Sequence, residues 1–106
     1  MIFDIPILFQ FFNRLDTSLR VFMEIKKIKP LNLYIVQDGH RYEKPDEERD
    51  CLLVRSKILE QIDWDCNLVT LFRTNNLGPG DGTGNAIKWF FNQVDQGIVI
   101  EHDCFS

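Results

Sequence analysis

Two rhythms of apolar residues alternate along this chain. Continuous apolar runs that read as strands begin near Ile7, Leu33, Asn67 and Gly97, and each gap between them holds a segment with helical periodicity. The expected order is βαβαβαβ. The runs Ile7 to Phe12 and Leu33 to Val36 are almost wholly apolar, which suits strands covered on both faces. Parallel strands flanked by helices follow, that is, an α/β fold of three αβα layers around a mainly parallel sheet of about four strands.

The helical segments carry their own punctuation. In the first, Asp16 or Thr17 is placed to cap, Leu15, Leu19, Phe22 and Met23 form the expected buried stripe, and Lys26, Lys27 and Lys29 suit the negative end before Pro30. The second starts after Pro45 with Asp46, Glu47 and Glu48 near its positive end. Cys51, Val54, Ile58 and Ile62 recur on one face, and the helix is expected to end near Asp63. The third is expected to begin around Gly82 to Gly84 and to carry Ile87, Phe90, Phe91 and Val94 at helical spacing, with Gly97 ending the connection. Trp64 and Trp89 read as packing residues.

Composition narrows the picture. The 106 residues, 44% hydrophobic and 26% charged, suit one globular unit spanning 1–106, and no repeat or linker divides it. A net charge of −4 without a basic stripe argues against nucleic acid as a partner. Cys51, Cys66 and Cys104 are odd in number and lack a metal-ligand spacing, so neither a disulfide framework nor a zinc site is expected, and a reducing, cytoplasmic setting suits them. The apolar N-terminal stretch is broken by Asp4, Pro6 and Gln10. Neither a signal peptide nor a membrane span is expected there.

Right-handed crossovers put every strand's C-terminal end on one edge of the sheet, where open α/β sheets bind ligands. The residues at those ends are Asn13-Arg14, Gln37-Asp38-Gly39, Arg73 through Asn76, and Glu101-His102-Asp103. Any strand leaving a core ends in polar residues, so one such end means little. Two carboxylates, Asp38 and Asp103, at separate ends with a glycine-rich stretch between them suggest a cation or a hydroxylated ligand. That stretch, Asn76 to Asn85, precedes a helix whose N–H groups could receive phosphate, although a flexible turn would account for the same residues. It is neither a Walker loop nor a dinucleotide fingerprint. A carboxylate straight after the last strand could coordinate Mg²⁺ or Mn²⁺, and a solvated acidic turn is the plainer alternative.

These residues resemble a known family, the nucleotide-diphospho-sugar transferases of GT-A fold, which include bacterial glycosyltransferases and, more distantly, enzymes of the N-acetylglucosaminyltransferase I type. The resemblance runs through Pro6-Ile7-Leu8 and Phe12-Asn13-Arg14, Tyr34 to Gly39, Asn76-Leu77-Gly78, Ala86 to Phe91, and Gly97 to Cys104. It implies a Rossmann-like N-terminal half of a GT-A fold that holds a nucleotide sugar such as a UDP-sugar, together with Mn²⁺ or Mg²⁺. Asp38 would contact the base, Arg14 would lie near the nucleotide, and Asn13, Asn76, Gly78 and Asn85 would help shape the site. Glu101-His102-Asp103 would correspond to the DxD-type motif, with Asp103 on the metal and Glu101 near the ribose or diphosphate. His102 departs from the usual aspartate and removes a negative charge from the metal's surroundings.

The resemblance also implies a further acceptor-binding half, which the chain's end at Ser106 leaves out, and with it the general base. Apolar surface exposed near that end is expected to favour self-association. A degenerate, non-catalytic transferase-like module is a second reading, favoured by His102. A receiver-like regulatory domain is a third, and Asn13-Arg14 argues against it, because a receiver would place an acidic pair there.

Overall fold

The apolar runs become four parallel strands, and the segments between them three helices. The computed structural model describes residues 3–102. In chain order the elements are β1 (Ile7–Phe11), α1 (Leu15–Ile28), β2 (Asn32–Gln37), α2 (Glu47–Glu60), β3 (Asn67–Phe72), α3 (Gly78–Phe91) and β4 (Ile98–Glu101). The sheet order is β3-β2-β1-β4, with every pairing parallel. β1 and β2 are the central strands, and all five residues of β1 are buried, which is why that run is so uniformly apolar.

Side-chain alternation on the central strands divides the core in two. Ile7, Phe9 and Phe11 of β1, with Leu33 and Ile35 of β2, meet Val21, Phe22 and Ile25 of α1 and Val54 and Ile58 of α2. Leu8 and Val36, on the opposite face, meet Ala86 and Phe90 of α3. The result is a Rossmann-like three-layer αβα fold with two helices on one side and one on the other. Phe9 and Phe22 lie 5.5 Å apart at their ring centroids, and each is fully buried, a contribution of about 1.5–3 kcal/mol apiece. Trp64 stacks on Phe22 and donates its indole N–H to the Pro30 carbonyl, while Trp89 packs edge-on against Tyr34. Both tryptophans serve packing.

The helices differ from expectation at their beginnings. α1 starts at Leu15, and its N-cap is Arg14 with no side-chain cap bond, so neither Asp16 nor Thr17 caps it. The chain enters this helix only a few residues after β1, which places Asp16 in the first turn, where it complements the helix dipole. The buried face of α1 is Ser18, Val21, Phe22 and Ile25; Leu15 and Leu19 flank it, and Met23 is exposed. Lys29 closes the helix in the left-handed region at φ 51°, its N–H bonded to the carbonyls of Ile25 and Lys26.

α3 begins at Gly78, four residues ahead of the expected start, so most of the glycine-rich stretch is helix. Glycine is a poor helix former, and a tertiary contact described below supplies what local propensity lacks. β3 and β4 are the edge strands. Near the C-terminal end Phe91 and Ile98 leave apolar surface exposed. Among the described residues no helix is long and apolar enough to cross a membrane.

Gln37, the last residue of β2, is fully buried yet polar. Its amide nitrogen donates to the Phe12 and Cys51 carbonyls, each at 2.8 Å, and its oxygen accepts from Arg55 Nε at 2.8 Å. Arg55 in turn lies over the Phe72 ring, 4.2 Å from its centroid. One amide thereby ties the end of β1 to β2, α2 and β3. Gln37→Leu keeps the volume and removes these bonds, so urea denaturation is expected to show a loss of about 1–3 kcal/mol.

Candidate functional site

Three strands that run one way from β1 and a fourth that returns to its other side create a crevice where the order reverses. A cleft of about 300 Å³ opens at this edge, lined by the last residues of β1, β2 and β4, by residues just after the strands, and by the first turns of α3. Its space comes from the helix. The α3 face turned to the sheet runs Gly78, Gly82, Ala86, Phe90 at i, i+4 spacing. Ala86 and Phe90 fill the region over Leu8, whereas Gly82, buried and without a side chain, leaves the upper part open.

Asp38 holds the cleft's wall in place. Its carboxylate accepts from the backbone N–H groups of Leu77 at 2.9 Å and Gly78 at 3.1 Å, from Asn76 Nδ2 at 3.2 Å, and from the N–H of Gly39 at 3.0 Å. An ionised carboxylate has about four acceptor positions, and all four are used here. Asp38 therefore occupies the anion position at the start of α3, where the sequence alone suggested a phosphate. Asn76 also donates to the Gly39 carbonyl at 2.9 Å. The contact requires close approach: a Cβ on Gly39 would stand 2.7 Å from the backbone of Asn75. Gly78 sits at φ +83°, a conformation that a side chain would strain.

The remaining expected residues divide into two groups. Asp38, Asn76, Gly78, Glu101 and His102 line the cleft. Asn13, Arg14 and Asn85 line other surfaces. Asn13 donates to Glu47 at 3.2 Å, and Arg14 points to solvent beside Asp16 at 3.5 Å; both border a separate shallow surface along α1. Asn85 lies on the outer side of α3, its oxygen accepting from Arg73 at 3.0 Å. Asp103 and Cys104 fall outside the described residues. His40 is half-buried, 3.8 Å from Glu48.

Several lining residues carry no sequence motif. Arg41 and Arg73 bring positive charge to the cleft. Arg41 is neutralised by the buried Glu47, which its guanidinium engages through two nitrogens while its backbone N–H donates at 3.1 Å. Arg73 forms no ion pair among the described residues and donates instead to the neutral Asn85 amide. Gln10 and Thr83 complete the polar lining, with Phe12 and Val36 as apolar walls. A strand residue flanked by aromatics gives no hint in sequence that it faces a cleft, so Gln10 had no local signal.

The donors for a divalent cation are incomplete among the described residues. Asp38 is committed to N–H groups, which leaves Glu101 and His102, and no group of three His, Cys, Asp or Glu side chains gathers that could hold a metal. The cleft's described residues therefore do not by themselves fit Mn²⁺ or Mg²⁺. Neither cysteine among the described residues is set up for thiol chemistry. Burial pushes the Cys51 thiol up to about 11 and raises that of Cys66, so both stay protonated at neutral pH.

The chain matches no protein-family profile, no curated protein and no solved structure.

Asp38→Ala removes the acceptor at the start of α3, and amide hydrogen exchange at Leu77 and Gly78 is expected to accelerate about tenfold or more while the central strands keep their protection. The Arg41 guanidinium beside Glu47 lowers its carboxyl from 4.5 to about 2. A depressed folded-state value stabilises above pH 4.5, and that stabilisation fades as pH falls from 4.5 towards 2. Denaturation midpoints across that window should fall more steeply for the native chain than for Glu47→Gln.

Proposed function

We propose that this chain binds a nucleotide-diphospho-sugar in the cleft, as the donor-binding part of a GT-A-type glycosyltransferase acting on an acceptor of unknown identity. The observation that carries the reading is the composition of the cleft at the strand reversal. Arg73, without a carboxylate partner among the described residues, suits a diphosphate, and Gln10, Asn76, Thr83 and Glu101 offer hydrogen-bonding groups to hydroxyls. The order of these motifs along the chain, from Pro6-Ile7-Leu8 to Gly97–Cys104, supports the same assignment.

The part given to Asp38 changes in this proposal. With its acceptor positions filled by Gly39, Asn76, Leu77 and Gly78, it shapes the site by holding the α3 turn, and a base would reach it only by displacing one of those donors. A metal brought with the diphosphate would depend on Asp103 joining Glu101. No general base is assigned to any residue of this chain.

A second reading has a specific observation behind it. The saturated Asp38, whose acceptor positions are all taken by the protein, favours a non-catalytic, transferase-like module that binds nucleotide weakly or serves as an interaction surface. Calorimetric titration with UDP and GDP, with and without Mn²⁺, separates the two. The donor-site reading expects one nucleotide to bind, with Arg73→Ala weakening it about tenfold or more and Asp103→Ala abolishing any Mn²⁺ dependence. Failure of a folded sample to bind either nucleotide would falsify it and leave the module reading.

A further inference from the structure

Gln10 is a lining residue that the fold itself has no use for. It stands on the α3 side of β1, in register with Val36 of β2 and Glu101 of β4. It is 8% exposed, and its Nε2 is buried without a partner among the described residues. No hydrogen bond to either end of the amide is found among the described residues, and Nε2 is the end that is fully buried. A buried, unmet amide destabilises the folded chain, and an apolar side chain of equal size would not. Its neighbours on the same strand, Leu8, Phe9 and Phe11, are all apolar.

The chemistry beside it indicates what would satisfy it. Gln10 and Glu101 are register partners on adjacent parallel strands, about 4.8 Å apart in backbone spacing. A carboxylate only accepts, whereas a carboxamide both donates and accepts. Neighbouring hydroxyls on a saccharide ring match this pair, one donating to Glu101 and the next exchanging hydrogen bonds with Gln10. A phosphate does not match it, because Glu101 repels it, and Arg73 at the far side of the sheet, after β3, serves it instead. The cleft is thus polarised, with an anion end by β3 and a hydroxyl end by β1 and β4.

We infer that Gln10 is a specificity-determining residue that reads vicinal ring hydroxyls, of the ribose or of the donor sugar, together with Glu101. This rests on the donor-site reading above. Gln10→Met preserves the volume and removes the polar atoms, and Gln10→Leu repeats the test with a shorter side chain should methionine overfill the floor.

Without ligand, at least one of the two variants is expected to melt about 4 °C or more above the native chain. In calorimetric titrations with UDP, GDP, UDP-glucose and GDP-mannose, each is expected to weaken the nucleotide sugar that the native chain binds by about tenfold or more. An equal loss with the parent nucleotide assigns the ribose, and a loss confined to the sugar-bearing ligand assigns the donor sugar. Two variants no more stable than the native chain, or native-like binding of every ligand, overturn the role of Gln10 while the donor site stands. A native chain that binds none of the four overturns the donor-site reading and this inference with it.

Discussion

The carboxylate of Asp38 at the end of β2 receives the first N–H groups of α3, and the geometry of the cleft depends on that contact. Gly78, Gly80, Gly82 and Gly84 would ordinarily favour a disordered turn. An acidic group aimed at the helix start satisfies donors that otherwise have no partner and complements the positive end of the dipole. It also ties two connections, after β2 and after β3, that are far apart in sequence. Once α3 is held this way, its glycine face lies over the sheet's edge and leaves room for a ligand. The residue whose position first suggested ligand contact thus builds the site's wall.

Two more polar contacts anchor the same edge from the other face. Gln37 links β1, β2 and α2 through three hydrogen bonds of 2.8 Å, and Glu47 at the start of α2 gathers Arg41 and Asn13. Each is buried and each is hydrogen-bonded, as buried polar groups must be if they are not to cost stability. Gln10 is the exception among the buried amides. The contrast between Gln37, fully met by the protein, and Gln10, unmet, separates a residue that builds the edge from one available to a ligand.

Much of the fold was legible in the residues. The four apolar runs, the gaps with helical spacing and the continuous hydrophobicity of Ile7 to Phe12 are local patterns, and they led to a parallel sheet between helical layers. The second helix's face of Cys51, Val54 and Ile58 follows its spacing closely. Boundaries that depend on distant partners were not legible. α3 starts at Gly78 because Asp38, forty positions earlier, caps it, and the α1 stripe is rotated away from Met23 because the position of the sheet decides which face is covered.

The sequence by itself determined the class of fold and the edge at which polar residues would collect, since hydrophobic period and strand direction are local properties carried along the chain. Only the tertiary structure decided which of those polar residues share a space. Asn13, Arg14 and Asn85 stand one or a few residues from the cleft and line other surfaces, while Gln10 enters it from β1, and Arg41 and Arg73 from the connections after β2 and β3. The physical reason is that a side chain's direction and its hydrogen-bond partners are set by the packing of elements remote in sequence. A saturated carboxylate and an unsatisfied amide are therefore indistinguishable until the chain has folded.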